Sequence, residues 1–323
     1  METTQQKRHC GILVNYECNA ACRHCLYACS PGRSADYMTP ETADKICSLL
    51  KMRGFNSIHI GGGEPFLNID GLLEVIKVVH KAGITIEYVE TNGFWAADES
   101  QALQYLNAIK SAGADALLIS LDPFHAEYVP VGLPLRLAEM CKEVGLKKTL
   151  WPEKFQTILS NIRHDKAHSK LELQKLLSPN YILESARTYG LTFCGRAIKI
   201  EEEYAPYKPV SEIIKKSHPC GSLLGTNFFH VDLYEKYMLP GCAGITIPLY
   251  EAVTGIPKGR YHIFEALLSN GVAELSEYAK KLGFELNDGY TSSCTLCFHI
   301  RHWLSETGDY PELDKEYYKA VLL

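Results

Sequence analysis

The feature that most limits this chain is a rhythm: from about Gly11 to Ile200, short apolar runs of strand length alternate with amphipathic helical segments. Repeated strand–helix units of this kind build a parallel sheet covered by helices, an α/β fold. The first strand is Ile12–Val14. Thr39 and Pro40 then start a helix as N-cap and first helical residue, and it runs to Arg53 before Gly54. Ser57–Ile60 is the second strand and ends in Gly61-Gly62-Gly63-Glu64-Pro65. Asp70 to Ala82 is helical and closes at Gly83. Ile84–Val89 is the third strand, followed by Thr91-Asn92-Gly93. Asp98 caps the next helix, Ala116–Ser120 is the fourth strand, and Pro134 opens a helix to Glu143. A fifth strand is expected at Lys148–Trp151 and a sixth at Leu191–Phe193 and Ala197–Ile200. Between them Glu153–Lys175, polar and rich in Lys and His, reads as an insertion or mobile segment.

Six units fall short of the eight of a full barrel. The expected architecture is a partial, TIM-like (β/α)6 barrel over residues 1–200, its mouth covered by a C-terminal α+β part, residues 201–323. The run Glu201–Glu203 and the stretch to Pro219 read as the link. Phe228–Asp232 and Lys236–Leu239 look like a hairpin, and helical patterns return after Tyr261.

The cysteines narrow the chemistry. There are twelve. The start, Met1 to Gln6, is polar and lacks the apolar core of a secretory signal, so the chain is expected to be cytoplasmic. Twelve thiols there suggest metal ligation or catalysis rather than a disulfide framework. Three lie in one loop directly after the first strand: Cys18-Asn19-Ala20-Ala21-Cys22-Arg23-His24-Cys25. Thiolates are the usual ligands of iron–sulfur clusters, and a cubane needs four. Three close cysteines leave its fourth iron open to an exogenous ligand. The loop lies at the carboxyl end of the sheet, where active sites of such folds gather. The competing structural zinc loop would need paired C-x2-C units and a fourth protein ligand, which His24 beside Cys25 cannot easily be.

This spacing resembles the radical S-adenosylmethionine (SAM) superfamily. The resemblance implies a [4Fe–4S] cluster on Cys18, Cys22 and Cys25, with SAM chelated to the open iron. It also implies reductive cleavage to a 5′-deoxyadenosyl radical that abstracts hydrogen from a substrate. The cluster would be oxygen-sensitive and fed by an electron donor such as flavodoxin or ferredoxin. Relatives carry an aromatic residue before the third cysteine; here it is His24. Gly62-Gly63-Glu64 resembles the family's turn whose backbone meets the methionine amino group, and glycine permits that close approach. Asn92 at the end of the third strand, and Ser120 and Asp122 at the end of the fourth, complete the expected SAM contacts. A turn or helix cap is the plainer role for Asp122.

A second group, Cys220, Cys242, Cys294 and Cys297, resembles the SPASM and twitch extensions of the same superfamily, which carry auxiliary [4Fe–4S] clusters. One auxiliary cluster is what this count supports, with Cys194 able to replace one ligand and structural zinc as the alternative. Cys194 or Cys29 could instead donate a hydrogen atom to a substrate radical. Cys47 and Cys141 sit in helical patterns as small hydrophobes. His164 and His168 stand four apart within a solvated polar segment, His125 and Glu127 read as loop residues near the mouth, and Arg196 could meet a carboxylate or form an ion pair.

The expected substrate is a peptide or protein. The same chemistry on a small molecule, or a non-catalytic metal-binding scaffold, are the alternatives. A formal net charge of −5 argues against a nucleic-acid partner. No stretch reaches the ~20 apolar residues of a membrane helix.

Overall fold

The structure, a computed structural model, describes residues 8–224, 227–239 and 241–322; the polar start Met1–Gln6 lies outside them. The chain forms two compact units. The first holds Met1–Cys22, Cys29–Leu191 and His230–Glu235, and the second holds Arg23–Ala28, Thr192–Phe229 and Lys236–Leu323.

In the first unit β1 (His9–Leu13), α1 (Pro40–Met52), β2 (Ser57–Gly61), α2 (Ile69–Lys81), β3 (Thr85–Thr91), α3 (Glu99–Ala112), β4 (Ala116–Ser120), α4 (Pro123–Ala126), α5 (Gly132–Glu143) and β5 (Lys147–Trp151) follow in order. The five strands pair in parallel in the order β5-β4-β3-β2-β1. Residues 230–232 of β7 (Phe228–Asp232) lie beside β1. Side-chain caps start α1, α2 and α3. Thr39 accepts from Thr42 N–H ahead of Pro40, Asn68 accepts from Gly71 N–H, and Asp98 accepts from Gln101 N–H. Ile12, Ile58, Ile60, Val89 and Ile119 are fully buried strand residues, as both-face burial of a parallel sheet requires. Cys47 and Cys141 are buried on α1 and α5.

The stretch Glu153–Lys175 is partly helical. It holds α6 (Lys154–Leu159) and α7 (Lys170–Leu176), the latter started by a capping box between Ser169 and Glu172. His168 is 1% exposed and bonds the Arg163 carbonyl at 2.7 Å, so it is a core residue rather than part of a solvated face. α8 (Tyr181–Tyr189) closes this part of the unit.

The expected sixth strand is also absent. Residues 197–204 form α9 (Ala197–Tyr204) in the second unit. Ala, Lys and Glu are strong helix formers, and the run Glu201–Glu203 extends a helix whose Ala197, Ile198 and Ile200 are buried. The fold class stands as α/β with a parallel sheet, built from five consecutive strand–helix steps instead of six.

The second unit continues with β6 (Lys208–Pro209), α10 (Val210–Lys215), β8 (Lys236–Leu239), β9 (Cys242–Pro248), α11 (Leu249–Thr254), α12 (His262–Asn270), α13 (Val272–Lys281), β10 (Gly289–Tyr290), α14 (Ser293–Thr307) and α15 (Lys315–Leu322). β8 and β9 pair antiparallel, as do β6 and β10. Among the described residues no helix is long and apolar enough to cross a membrane.

Candidate functional site

The loop leaving β1 is tied to the turn leaving β2 by main-chain bonds. Val14 N–H donates to the Gly61 carbonyl (3.0 Å), Gly63 N–H to the Asn15 carbonyl (2.9 Å) and Glu64 N–H to the Glu17 carbonyl (3.0 Å). Asn15 adds its side chain, with Nδ2 donating to the Glu64 carbonyl (3.0 Å) and Oδ1 accepting from Gly63 N–H (3.1 Å). The approach is close enough that a Cβ on Gly63 would stand 2.0 Å from the Glu17 carbonyl oxygen. Only glycine fits there.

Glu64 is fully buried, and its carboxylate is spent on neighbours. Oε1 accepts from the Thr91 hydroxyl (2.8 Å) and Phe66 N–H (3.2 Å), and Oε2 from Asn92 N–H (2.7 Å). Burial pushes its pKa up to about 7, against the pull of those donors. Glu64 thus clamps the end of β3 to the end of β2. Asn92 in turn donates from Nδ2 to Asn19 Oδ1 (2.8 Å) and lies 3.9 Å from Cys18 Sγ. Ala20 N–H approaches the same sulfur at 3.4 Å. Donors directed at sulfur suit a metal-bound thiolate, so Cys18 fits the cluster that the motif implies.

Asn92, Ser120 and Asp122 line one small cavity of about 10 Å³ together with His125, room for a single water. Asp122 is buried and serves as the cap of α4. Its Oδ1 accepts from Phe124 N–H (2.9 Å) and His125 N–H (3.0 Å), and its Oδ2 meets His125 Nδ1 at 2.7 Å. Burial pulls the His125 pKa down, but Asp122 and the contacting Cys22 sulfur outweigh it and hold the pKa well above the usual imidazole value. His125 therefore lies beside Asp122 and Cys22; its i+3 spacing from Asp122 was the available signal. In the second unit, the Cys25 carbonyl accepts from Arg196 N–H at 3.1 Å, and Gly195 (φ +62°) lets that segment pack closely.

A polar cluster on one face of the first sheet escaped sequence reasoning. His9 Nε2 bonds His59 Nδ1 at 2.7 Å, Glu90 lies 3.8 Å from His59 Nε2, and the His230 ring meets His59 edge-on at 5.1 Å. The alternate positions His9, Gly11, Ser57, His59 and Gly61 carried its period-2 signal.

The second cysteine group does come together. Cys220, Cys242, Cys294 and Cys297, with Cys194, line one cavity of about 240 Å³ in the second unit, beside Arg301. Contact with the Cys194 thiol is the largest influence on two of them, pulling the Cys242 pKa down to about 6 and the Cys294 pKa to about 7. Burial pushes Cys297 up to about 12. None of the twelve cysteines is in a disulfide.

Residues 12–151 match the sequence model of the Radical SAM superfamily. Over 119 residues the chain is 28% identical to the putative peptide biosynthesis protein YydG of Bacillus subtilis, covering 37% of each protein. A probable GTP 3′,8-cyclase of Saccharolobus islandicus is 25% identical over 246 residues, 72% of this chain and 76% of that protein. Streptococcus suis SuiB bound to S-adenosylmethionine aligns at a TM-score of 0.43 and 15% identity, covering 83% of this chain and 71% of that one. The chain thus spans little more than a third of the length of the first curated relative. The matched family implies a SAM-binding [4Fe–4S] cluster and SAM as cofactors. The match to the Radical SAM superfamily covers residues 12–151, which carry the three-cysteine loop and the glycine turn.

Proposed function

We propose that this chain is a radical SAM enzyme that abstracts hydrogen from a peptidyl substrate. The observation that carries the reading is the main-chain lock between the loop that leads into Cys18 and the turn Gly62-Gly63-Glu64. In this reading Cys18, Cys22 and Cys25 hold the cluster. The backbone of Gly62 and Gly63 receives the methionine end of SAM, and Asn92 and Ser120 supply polar contacts further along. Glu64 and Asp122 act at one remove: the first fixes Thr91 and Asn92, the second fixes His125. When bound, the cluster and SAM supply an electron and a 5′-deoxyadenosyl radical, and the protein's part is orientation and exclusion of water.

The 119-residue likeness to a putative peptide biosynthesis protein supports a peptidyl substrate. The longer likeness to a GTP 3′,8-cyclase favours, as the second reading, a small-molecule substrate. The thiol-lined cavity of the second unit supports an auxiliary [4Fe–4S] cluster. Flavodoxin or ferredoxin is the proposed electron donor, in keeping with a cytoplasmic enzyme.

Anaerobic purification and cluster reconstitution, followed by SAM and dithionite, test the class. The expected result is a brown protein that forms 5′-deoxyadenosine, with the product lost in Cys22→Ala. A colourless protein that forms none would refute it. Isotope transfer from a deuterated peptide or nucleotide into 5′-deoxyadenosine then separates the two substrate classes.

A further inference from the structure

The polar cluster on one face of the first sheet is a chain of groups that can each take and pass on a proton. Its members come from three neighbouring strands of the first unit. His59 of β2 stands between two partners. Its Nδ1 meets His9 Nε2 of β1 at 2.7 Å, and its Nε2 faces Glu90 Oε1 of β3 at 3.8 Å. His9 Nδ1 in turn lies 3.3 Å from Ser57 Oγ and 3.5 Å from Glu87 Oε2. The order is Glu90, His59, His9, Glu87: a carboxyl at each end and imidazoles between. The end groups are accessible, with side chains 41% exposed at Glu90 and 26% at Glu87, whereas His59 keeps only 5%.

The backbone makes room for these groups. A Cβ on Gly11 would stand 2.5 Å from His59 Nε2 and 2.1 Å from His230 Cδ2, and one on Gly61 would stand 2.7 Å from Glu90 Oε2. Glycine at both positions lets imidazole and carboxylate share the face. Tyr88 stacks on His59 at 5.0 Å, and His230 meets it edge-on at 5.1 Å. Glu90 is at the carboxyl end of β3, two residues before Asn92, whereas Glu87 is three residues earlier in the strand. One end of the chain therefore adjoins the candidate site and the other leads away from it. Burial pushes the Glu90 pKa up to about 7, against the pull of His125 and with a push from Glu64. A carboxyl poised there both accepts and releases a proton at neutral pH.

We infer, on the reading of this chain as a radical SAM enzyme, that Glu90 is the proton acceptor for its substrate and that His59 and His9 relay the proton to Glu87. A substrate N–H or O–H bond breaks, its electron pair stays on the substrate heteroatom, and the proton goes to the Glu90 carboxylate. Glu90 closes on His59 by ~1 Å to hydrogen-bond distance and protonates Nε2. His59 gives its Nδ1 proton to His9 Nε2, and His9 gives its Nδ1 proton to Glu87 Oε2, which releases it to water. One proton crosses, no electron moves, and each ring ends in its other tautomer.

The relay requires both resting imidazoles to carry their proton on Nδ1. Long-range 1H–15N NMR of the anaerobic holoprotein, labelled with 15N-histidine, reads this directly, with His9→Gln and His59→Gln assigning the rings. A resting His59 protonated on Nε2 overturns the relay. The His9 ring, which does not touch Glu90, should also show a titration step near pH 7 that is lost in Glu90→Gln and in His59→Gln; a step that persists in both variants refutes the coupling. The catalytic role is read with the deuterated peptide that labels 5′-deoxyadenosine. In Glu90→Gln the labelled 5′-deoxyadenosine should still form, while modified peptide per 5′-deoxyadenosine falls about a hundredfold. An unchanged ratio removes Glu90 from the chemistry. Absence of label with the parent protein counts against the peptidyl reading instead, and the tautomers and the shared titration step then decide the relay.

Discussion

Replacing Gly63 by alanine tests whether the lock between the cysteine loop and the glycine turn holds the site together. The added Cβ would lie 2.0 Å from the Glu17 carbonyl oxygen, 2.6 Å from the Glu17 carbonyl carbon and 2.9 Å from that of Tyr16. All three atoms are main chain, so no side chain can swing aside. Opening this contact to van der Waals distance moves the turn by more than ~1 Å, beyond the tolerance of a hydrogen bond. The bonds at risk are Gly63 N–H to the Asn15 carbonyl and Glu64 N–H to the Glu17 carbonyl. Leaving two such groups unsatisfied costs about 2–4 kcal/mol. For a unit of this size that corresponds to a fall in Tm of about 4–16 °C. Differential scanning fluorimetry on cluster-free protein reads the stability, and iron content after reconstitution reads the site. Gly61→Ala is the control, because its Cβ meets only the far end of Glu90, at 2.7 Å from Oε2; that flexible side chain can move, for a loss under ~1 kcal/mol. If Gly63→Ala melts within ~1 °C of the parent and takes up full iron, the lock is not what organises the loop.

Three further outcomes follow from the same geometry. Glu64 has a folded pKa of about 7 against an ordinary value near 4.5, so between those values the folded chain binds a proton that the unfolded chain has lost. Stability should therefore fall as pH rises from about 4.5 to 7, and Glu64→Gln should flatten that part of a Tm–pH curve; an unchanged slope counts against the assignment. Asp122→Ala removes the cap of α4 and the partner of His125, and should cost about 1–2 kcal/mol in denaturant melts, with Asp122→Asn recovering part of it. Gly195→Ala places a Cβ 2.4 Å from the Cys25 and Leu26 carbonyl oxygens at φ +62°. It should lower iron uptake to about half by disturbing the loop segment that carries Cys25, and full uptake would contradict this.

Much of the fold was readable residue by residue, because its signals are local. Thr39-Pro40, Asp98 and Gly113 bound helices through contacts within one turn of chain, and β2 and β4 announce themselves as apolar runs between such helices. The spacing of Cys18, Cys22 and Cys25 and the glycines of the β2 turn are likewise short-range patterns, so the family could be reached from sequence alone.

Other features depend on partners distant in the chain, and no local pattern encodes those. Residues 197–204 carry both strand-like apolar residues and helix-forming Glu and Lys, and burial of one helical face decided for the helix. The Glu64 carboxylate is taken by Thr91 and Asn92, 27 and 28 residues on. Cys194 stands 48 residues before Cys242 and 100 before Cys294, a separation without a motif, and only the folded second unit brings all three to the lining of one cavity. Spacing along the chain determines which chemistry is affordable in one loop; which distant side chains meet is settled by packing, because burial couples groups through space and not through sequence.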